Sequence, residues 1–210
     1  MNFNLKLWDT TEAKEFGEFE VLELGGHETK IISAEEYKSD LTGNLSLKVC
    51  VDISGTDKQK GYFTNQYINN NNPDKKWPAS ATRYLSLKDE NLGYLKGFIT
   101  ALENSNAGFK FNTKGDWSQL KGLKIASVFG LEEYQKEDKT TGFRTRLNQF
   151  RSLDKLKSIT IPDVKMLNGT YLDYEEYKEM KNGGEFNNTA STKADKSEEN
   201  LIEITDDFLD

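Results

Sequence analysis

The chain has 210 residues, which is enough for one domain with a full hydrophobic core, alone or followed by a tail. Hydrophobic residues make up only 35% of it, but 12 Phe, 9 Tyr and 3 Trp exclude a chain that is disordered throughout. The net charge of −7 is unevenly distributed, because residues 41–165 contain 20 basic and 13 acidic residues whereas both ends are acidic. A basic middle with acidic ends is typical of a protein that binds phosphate groups and keeps a tail for other partners.

Several classes of protein are disfavoured by simple features of the chain. No apolar run approaches the roughly 18 residues that a membrane span needs, and residues 1–6 lack the basic region that begins a signal peptide. The single cysteine, Cys50, excludes an internal disulfide framework and a cysteine-rich metal site. We therefore expect a cytoplasmic protein with no membrane segment, no metal and no cofactor.

The first third of the chain predicts three strands in succession. Residues 44–54 alternate strictly between apolar and polar side chains, which is typical of a half-buried strand. Residues 29–38 predict its partner, joined through a turn at 40–43. Residues 62–68 are rich in aromatic and β-branched side chains and predict a third strand after the polar loop 55–61. Short connections make these three strands an antiparallel meander.

The remainder predicts a helix, a hairpin and a tail. A loop over 69–81 leads into a helix over 88–104, with Ser86 as its N-cap and an apolar face of Leu92, Leu95, Phe98, Ile99 and Leu102. Residues 123–134 and 143–150 flank a polar loop that ends in glycine, which predicts a hairpin. The spacing of Tyr171, Tyr174 and Tyr177 indicates a short helix against the domain. Residues 181–210 hold few apolar groups and predict a flexible acidic tail behind a domain of residues 1–180.

This order of elements indicates a mainly β fold of a particular kind. Three strands, a helix and two more strands match the five-stranded OB-fold barrel, in which a helix lies between strands 3 and 4. A ferredoxin-like or doubly wound fold needs helices at other places along the chain. OB-folds bind oligonucleotides and oligosaccharides on the face around strands 2 and 3. The sequence therefore predicts an OB-fold with N- and C-terminal extensions.

Aromatic and basic residues are interleaved in the segments that this fold would bring to its binding face. Binding of single strands without sequence preference requires aromatic faces for the bases and cations for the phosphates. We expect this role for Lys58, Lys60, Tyr62, Tyr67, Lys75, Lys76, Trp77, Arg83, Lys136, Lys139, Arg144, Arg146 and Arg151.

Some of the aromatic residues have a competing structural interpretation. Phe63, Phe143 and Phe150 are better explained as core residues, because a small barrel has to be filled. Tyr62 and Tyr67 would face opposite sides of a regular strand, so only one of them could lie on the binding face. Trp77, in a loop rich in Asn and Pro, is the stronger stacking candidate.

The run 61–69 followed by the helix over 87–98 resembles the single-stranded DNA-binding proteins of phages and mobile elements of Gram-positive bacteria. The chain end, EITDDFLD, is similar to the acidic tips by which bacterial single-strand binders recruit replication and recombination proteins. The resemblance implies that Ile204, Asp206, Asp207, Phe208 and Leu209 dock onto such partners. The usual tip ends in Pro-Phe, whereas Leu209 and Asp210 follow Phe208 here. Homo-oligomerisation is left open.

Two other classes of function remain alternatives. An enzyme would need a constellation that is hard to find, because His27 is the only histidine and no phosphate-binding loop or nucleophile elbow is present. Carboxylate pairs such as Glu132-Glu133 could hold Mg²⁺ in a nuclease, but neighbouring acids on a strand point to opposite faces and are expected to be solvated. A protein-interaction or phage structural module without DNA binding is the second alternative. The chain is therefore expected not to be an enzyme.

Overall fold

The computed structural model describes residues 21–183, which form a mainly β fold with seven strands in one mixed sheet. In chain order the described strands and helices are β1 Gly25–Lys38, β2 Leu45–Ile53, α1 Tyr62–Asn69, β3 Thr82–Ser86, α2 Leu92–Ser105, β4 Lys124–Gln135, β5 Thr141–Arg151, β6 Val164–Lys165, β7 Tyr171–Leu172 and α3 Tyr174–Gly183. Over this range no helix has both the length and the apolar character needed to cross a bilayer.

The sheet is built on the two central strands β1 and β4, which pair with each other antiparallel. On the outer side of β1 follow β2 and then β3, and β5 pairs with β4 as a long hairpin. The short strand β6 joins β4 in parallel at Glu132 and Lys165, and β7 pairs with β6. The sheet does not close, although β3 and β5 lie near each other in space.

The core is filled from the inner faces of these strands and from two helices. The half-buried strand predicted over residues 44–54 is confirmed in part: Leu47, Val49, Val51 and Ile53 of β2 are buried. Leu45 is exposed, however, and Cys50 and Asp52 on the opposite face are buried as well. Phe129 and Leu147 of the β4–β5 hairpin are fully buried opposite each other. Burying a large aliphatic or aromatic side chain contributes about 1.5–3 kcal/mol, so this shared interior dominates the stability of the domain. The hairpin predicted from residues 123–134 and 143–150 is confirmed as β4 and β5.

A β-bulge in β1 exchanges its inner and outer residues. The register against β2 shifts between Ile31 and Ser33. Before the shift Thr29 and Ile31 are buried, whereas beyond it Ala34 packs on the core and Tyr37 lies on the other face. An extra residue in one strand of a pair has this effect because side chains alternate with a period of two.

The predicted third strand over 62–68 is wrong, because these residues form helix α1. Gly61 adopts a left-handed conformation that ends the preceding turn, with φ of 78°. The carboxylate of Asp52 then accepts hydrogen bonds from the backbone N–H of Phe63 and Thr64, at 2.9 and 3.4 Å, and from the Thr64 hydroxyl. The helical backbone also carries the Phe63 ring into the core, where it is fully buried. These tertiary contacts override the β propensity of the segment.

The second strand that pairs with β2, besides β1, is instead β3, which includes Arg83. The helix predicted over 88–104 is confirmed as α2, but it begins at Leu92 after a 3₁₀ turn over Asp89–Asn91. Ser86 is not its N-cap, because the Ser86 hydroxyl accepts from the Lys88 N–H and the Asn91 side chain. Phe98 and Leu102 are buried as expected.

Candidate nucleic-acid interface

The outer face of β1, β2 and β3 carries a row of anion, cation and aromatic ring. Lys48 of β2 lies between Glu35 of β1 and Tyr84 of β3 in the cross-strand register. The Lys48 Nζ donates to Glu35 Oε1 at 3.1 Å. One pair further along β1, the Tyr37 ring lies with its centroid 5.1 Å from that of Tyr84, tilted by 57°. Two aromatic rings and an ammonium group thus share one exposed face of the sheet.

The charge states in this row are set by its surroundings. Partial burial lowers the pKa of Lys48, but the hydrogen bond with Glu35 and nearby coulombic contributions outweigh it and raise the pKa above its usual value. Burial raises the pKa of the Tyr84 phenol, opposed in part by the neighbouring Lys48. The row therefore presents the Lys48 ammonium, paired with Glu35, beside the Tyr84 phenol. A cation beside an aromatic ring is a combination suited to phosphates and bases.

Helix α1 and the loop after it form a second aromatic and basic cluster. The Tyr67 and Trp77 rings lie 5.7 Å apart, and Lys75 Nζ is 4.8 Å from the Tyr67 centroid. Trp77 Nε1 donates to the Val51 carbonyl of β2 at 3.1 Å. The Trp77 ring is half-buried and packs on the core, so it is anchored to the sheet rather than projecting freely from its loop.

The β4–β5 hairpin gathers three cations around one buried carboxylate. Glu132 Oε2 accepts from Arg146 Nη1 at 2.7 Å and from Arg144 Nε at 3.1 Å, and Arg144 Nη2 lies 3.1 Å from the same oxygen. Oε1 lies 3.5 Å from Lys165 Nζ of β6. The Glu132 side chain is only 7% exposed, compared with 41% for Arg144 and 27% for Arg146. The expectation that Glu132 is a solvated surface acid is wrong, because the cross-strand register places it directly between these cations.

The hairpin cluster also contains an aromatic ring. The guanidinium carbon of Arg144 lies 5.2 Å from the centroid of Tyr134, two residues beyond Glu132 on the same face of β4. Tyr134 pairs across the hairpin with Gly142. A Cβ at residue 142 would lie 3.3 Å from the Tyr134 ring and 2.8 Å from Lys136 Cε. The glycine therefore leaves the space in which this ring and the Lys136 side chain lie.

The structure brings some of the predicted site residues together and leaves others apart. Tyr67, Lys75 and Trp77 come together at α1, and Lys136, Arg144 and Arg146 come together on the hairpin. Tyr62 lies in α1, half-buried against the core and edge-on to Phe63 at 5.1 Å. Lys58, Lys60, Lys76, Lys139 and Arg151 are exposed, and Arg83 is half-buried in β3. The tail residues Ile204, Asp206, Asp207, Phe208 and Leu209 lie outside the described range.

The sequence did not single out the residues of the three-stranded face. Lys48 was recognisable as part of the polar side of β2, because that side alternates with the buried one. Tyr84 could be placed beside it only once β3 was known to be the partner of β2. Tyr37 could not be placed at all without the bulge in β1, since regular alternation would put it on the same side as buried Ile31.

The only histidine has a structural environment. His27 is 4% exposed, and its two ring nitrogens lie 3.0 Å from Asp57 Oδ2 and 2.9 Å from the Glu23 carbonyl. These contacts tie the start of β1 to the turn after β2. Between residues 21 and 183 there is no group of three His, Cys, Asp or Glu side chains that could hold a metal ion.

Comparison with known proteins adds no family to this description. No family model matches the chain, and neither does any curated protein.

Proposed function

We propose that this protein binds single-stranded DNA without sequence preference, with β1–β5 acting as an OB-fold-type barrel. The observation that carries the proposal is the half-buried row of Lys48, Tyr84 and Tyr37 on the outer face of β1–β3. An OB-fold uses this face for oligonucleotides. Rings on such a face can stack on any unpaired base, because every base has a π-face, while a cation beside them balances a phosphate.

The strand arrangement supports the barrel proposal. The order β3-β2-β1-β4, with β5 on the free side of β4 and a helix between β3 and β4, is compatible with an OB-fold. The approach of β3 to β5 is where such a barrel would close. Partly open examples are included in the fold's usual definition, so an unclosed sheet is compatible with it.

The location of the charges supports a single-stranded ligand. The basic segment 41–165 includes Lys48, the α1 cluster and most of the hairpin cluster, and each of these places pairs a cation with an aromatic ring. Duplex DNA hides its base faces, so stacking contributes only with unpaired strands. We infer a non-enzymatic role in the DNA replication or recombination of a phage or mobile element, in the bacterial cytoplasm.

The end of the chain completes the proposal. Residues 185–210 contain eight acidic and two basic residues, yet they include Ile202, Ile204, Phe208 and Leu209. Apolar side chains flanked by acids suit a pocket with a basic rim on another protein. We propose that this segment recruits replication or recombination proteins while the β1–β5 unit holds DNA.

The test is a titration of fluorescently labelled oligo-dT, and of a duplex of the same length, at two salt concentrations. We expect tighter binding to the single strand, and an affinity that falls with salt because bound cations release counterions. Tyr84→Ala should weaken binding by about 1–3 kcal/mol. Tyr94→Ala is the matched control, since Tyr94 is an exposed tyrosine on α2 outside the proposed interface.

Two results would contradict the proposal. Equal or tighter binding to the duplex would exclude base stacking as the source of affinity. A folded protein that binds neither oligonucleotide would favour the protein-interaction module instead.

A further inference from the structure

The Arg144 side chain is held on two sides. Its Nε donates to Glu132 Oε2 at 3.1 Å and its Nη2 lies 3.1 Å from the same oxygen, so one edge of the guanidinium lies against a buried carboxylate. The Tyr134 ring lies over the guanidinium, with its centroid 5.2 Å from the central carbon. With 41% of the side chain exposed, Arg144 is at once restrained and accessible.

The backbone explains why this arrangement is available here. Glu132 pairs with Arg144 across the hairpin, and Tyr134 pairs with Gly142. Directly paired side chains on one face of a sheet lie within contact distance of each other. The absent side chain at Gly142 gives the Tyr134 ring room beside Arg144, since a Cβ there would lie 3.3 Å from the ring.

This environment is better suited to a base than to a phosphate. Glu132 takes up the Nε–H of Arg144, so one edge of the guanidinium that could bind a phosphate is already engaged. Stacking depends on the flat shape of the guanidinium, and restraint of that plane lowers the entropy lost when a base lies on it. Arginine planes are used in this way for unpaired bases.

We propose that the guanidinium of Arg144 is a stacking platform for a nucleobase, forming a base-binding position on the β4–β5 hairpin with Tyr134 behind it and Glu132 at its edge. The inference rests on the proposed single-strand binding and extends the interface from the β1–β3 face to the hairpin. It assigns Arg144 to a base, where the sequence indicated only a phosphate contact.

The experiment compares oligo-dT with an abasic deoxyribose-phosphate strand of the same length, at low salt, where phosphate contacts keep both affinities measurable. The variants are Arg144→Lys, which keeps the charge without the plane, and Arg144→Ala. Lys96→Arg is the matched control, because it makes the reverse exchange at an exposed residue of α2 that lies outside the proposed interface. Circular dichroism of each variant confirms that the domain is folded.

Both Arg144 variants should lose roughly 5- to 150-fold in affinity for oligo-dT, the range expected for one stacked base. On the abasic strand Arg144→Lys should bind like the unaltered protein, and Lys96→Arg should change neither affinity. Normal oligo-dT binding by Arg144→Lys, or an equal loss on both strands, would overturn the inference alone. If the unaltered protein failed to bind oligo-dT, the proposed function would fall and this inference with it.

Discussion

Replacing Asp52 with alanine tests whether one carboxylate holds helix α1 on the sheet. Asp52 is 6% exposed, and its Oδ1 accepts from the backbone N–H of Phe63 and of Ile53, each at 2.9 Å. Thr64 adds its amide at 3.4 Å and its hydroxyl. A helix whose first N–H groups have no intrahelical partner is completed here by a side chain from a strand rather than by its own N-cap.

The expected loss can be worked from these contacts. A hydrogen bond to a charged group contributes about 1.5–3 kcal/mol, and a buried donor left without an acceptor costs about 1–3 kcal/mol. The contacts share one carboxylate, and Thr64 is only half-buried, so their contributions do not add fully. We expect Asp52→Ala to lower the free energy of unfolding by about 3 kcal/mol. Asp52→Asn keeps an acceptor oxygen for the Phe63 N–H and should cost about half as much.

Urea unfolding followed by far-ultraviolet circular dichroism measures this loss, with Asp163→Ala as the control for removing an exposed aspartate. A loss for Asp52→Ala no larger than that of the control would refute the reasoning. It would mean that α1 is held by burial of Phe63 alone.

Three further predictions concern the interface. Trp77→Ala should weaken oligo-dT binding by about 1–3 kcal/mol if a base stacks there, whereas loss of the folded circular dichroism spectrum would show that its packing and its hydrogen bond to Val51 are structural. Burial raises the pKa of Tyr84 and that of Tyr177, so both phenolates should form above the usual tyrosine range in an ultraviolet absorbance titration, and Tyr84→Phe should reduce the amplitude of that late step by one tyrosine. Because folding disfavours the phenolate, the stability that Tyr84 contributes should be complete below its unfolded pKa and decline as the pH rises through the folded value. Deleting residues 197–210, part of a segment with eight acidic and two basic residues, should leave oligo-dT affinity unchanged or raise it modestly at low salt, and weaker binding would contradict this.

The sequence predicted those elements whose side-chain pattern is decided locally. Residues 44–54 alternate over a full strand length, and the hairpin of β4 and β5 is marked by a polar loop between two β-prone runs. Helix α1 was not predicted by this reasoning, because Tyr62, Phe63 and Tyr67 have a high intrinsic propensity for strands. Its helical state depends on Asp52 and on the core position of Phe63, neither of which is a property of the segment itself.

In the candidate site, too, local relations could be predicted from the sequence and long-range ones could not. Arg144 and Arg146 were identified correctly as neighbours on one side of a strand, because two residues apart is a local relation. Glu132 was misplaced at the surface, since its burial follows from the register between β4 and β5 and from Lys165, which a later strand brings to the same carboxylate. Relations of this kind join residues that are distant along the chain.

The bulge near Ile32 changes which residues of β1 face the core. Odd-numbered residues such as Ile31 face inward before it, and even-numbered ones such as Ala34 do so beyond it. Deleting Ile32 would remove the extra residue and make the alternation regular, and it would leave Ala34 directed inward and Tyr37 outward. A one-residue insertion or deletion in the turn over 40–43 leaves the alternation within β1 unchanged. Ile32 is therefore the position of β1 at which a deletion preserves both faces of the strand, which an insertion-and-deletion scan of the strand would display directly.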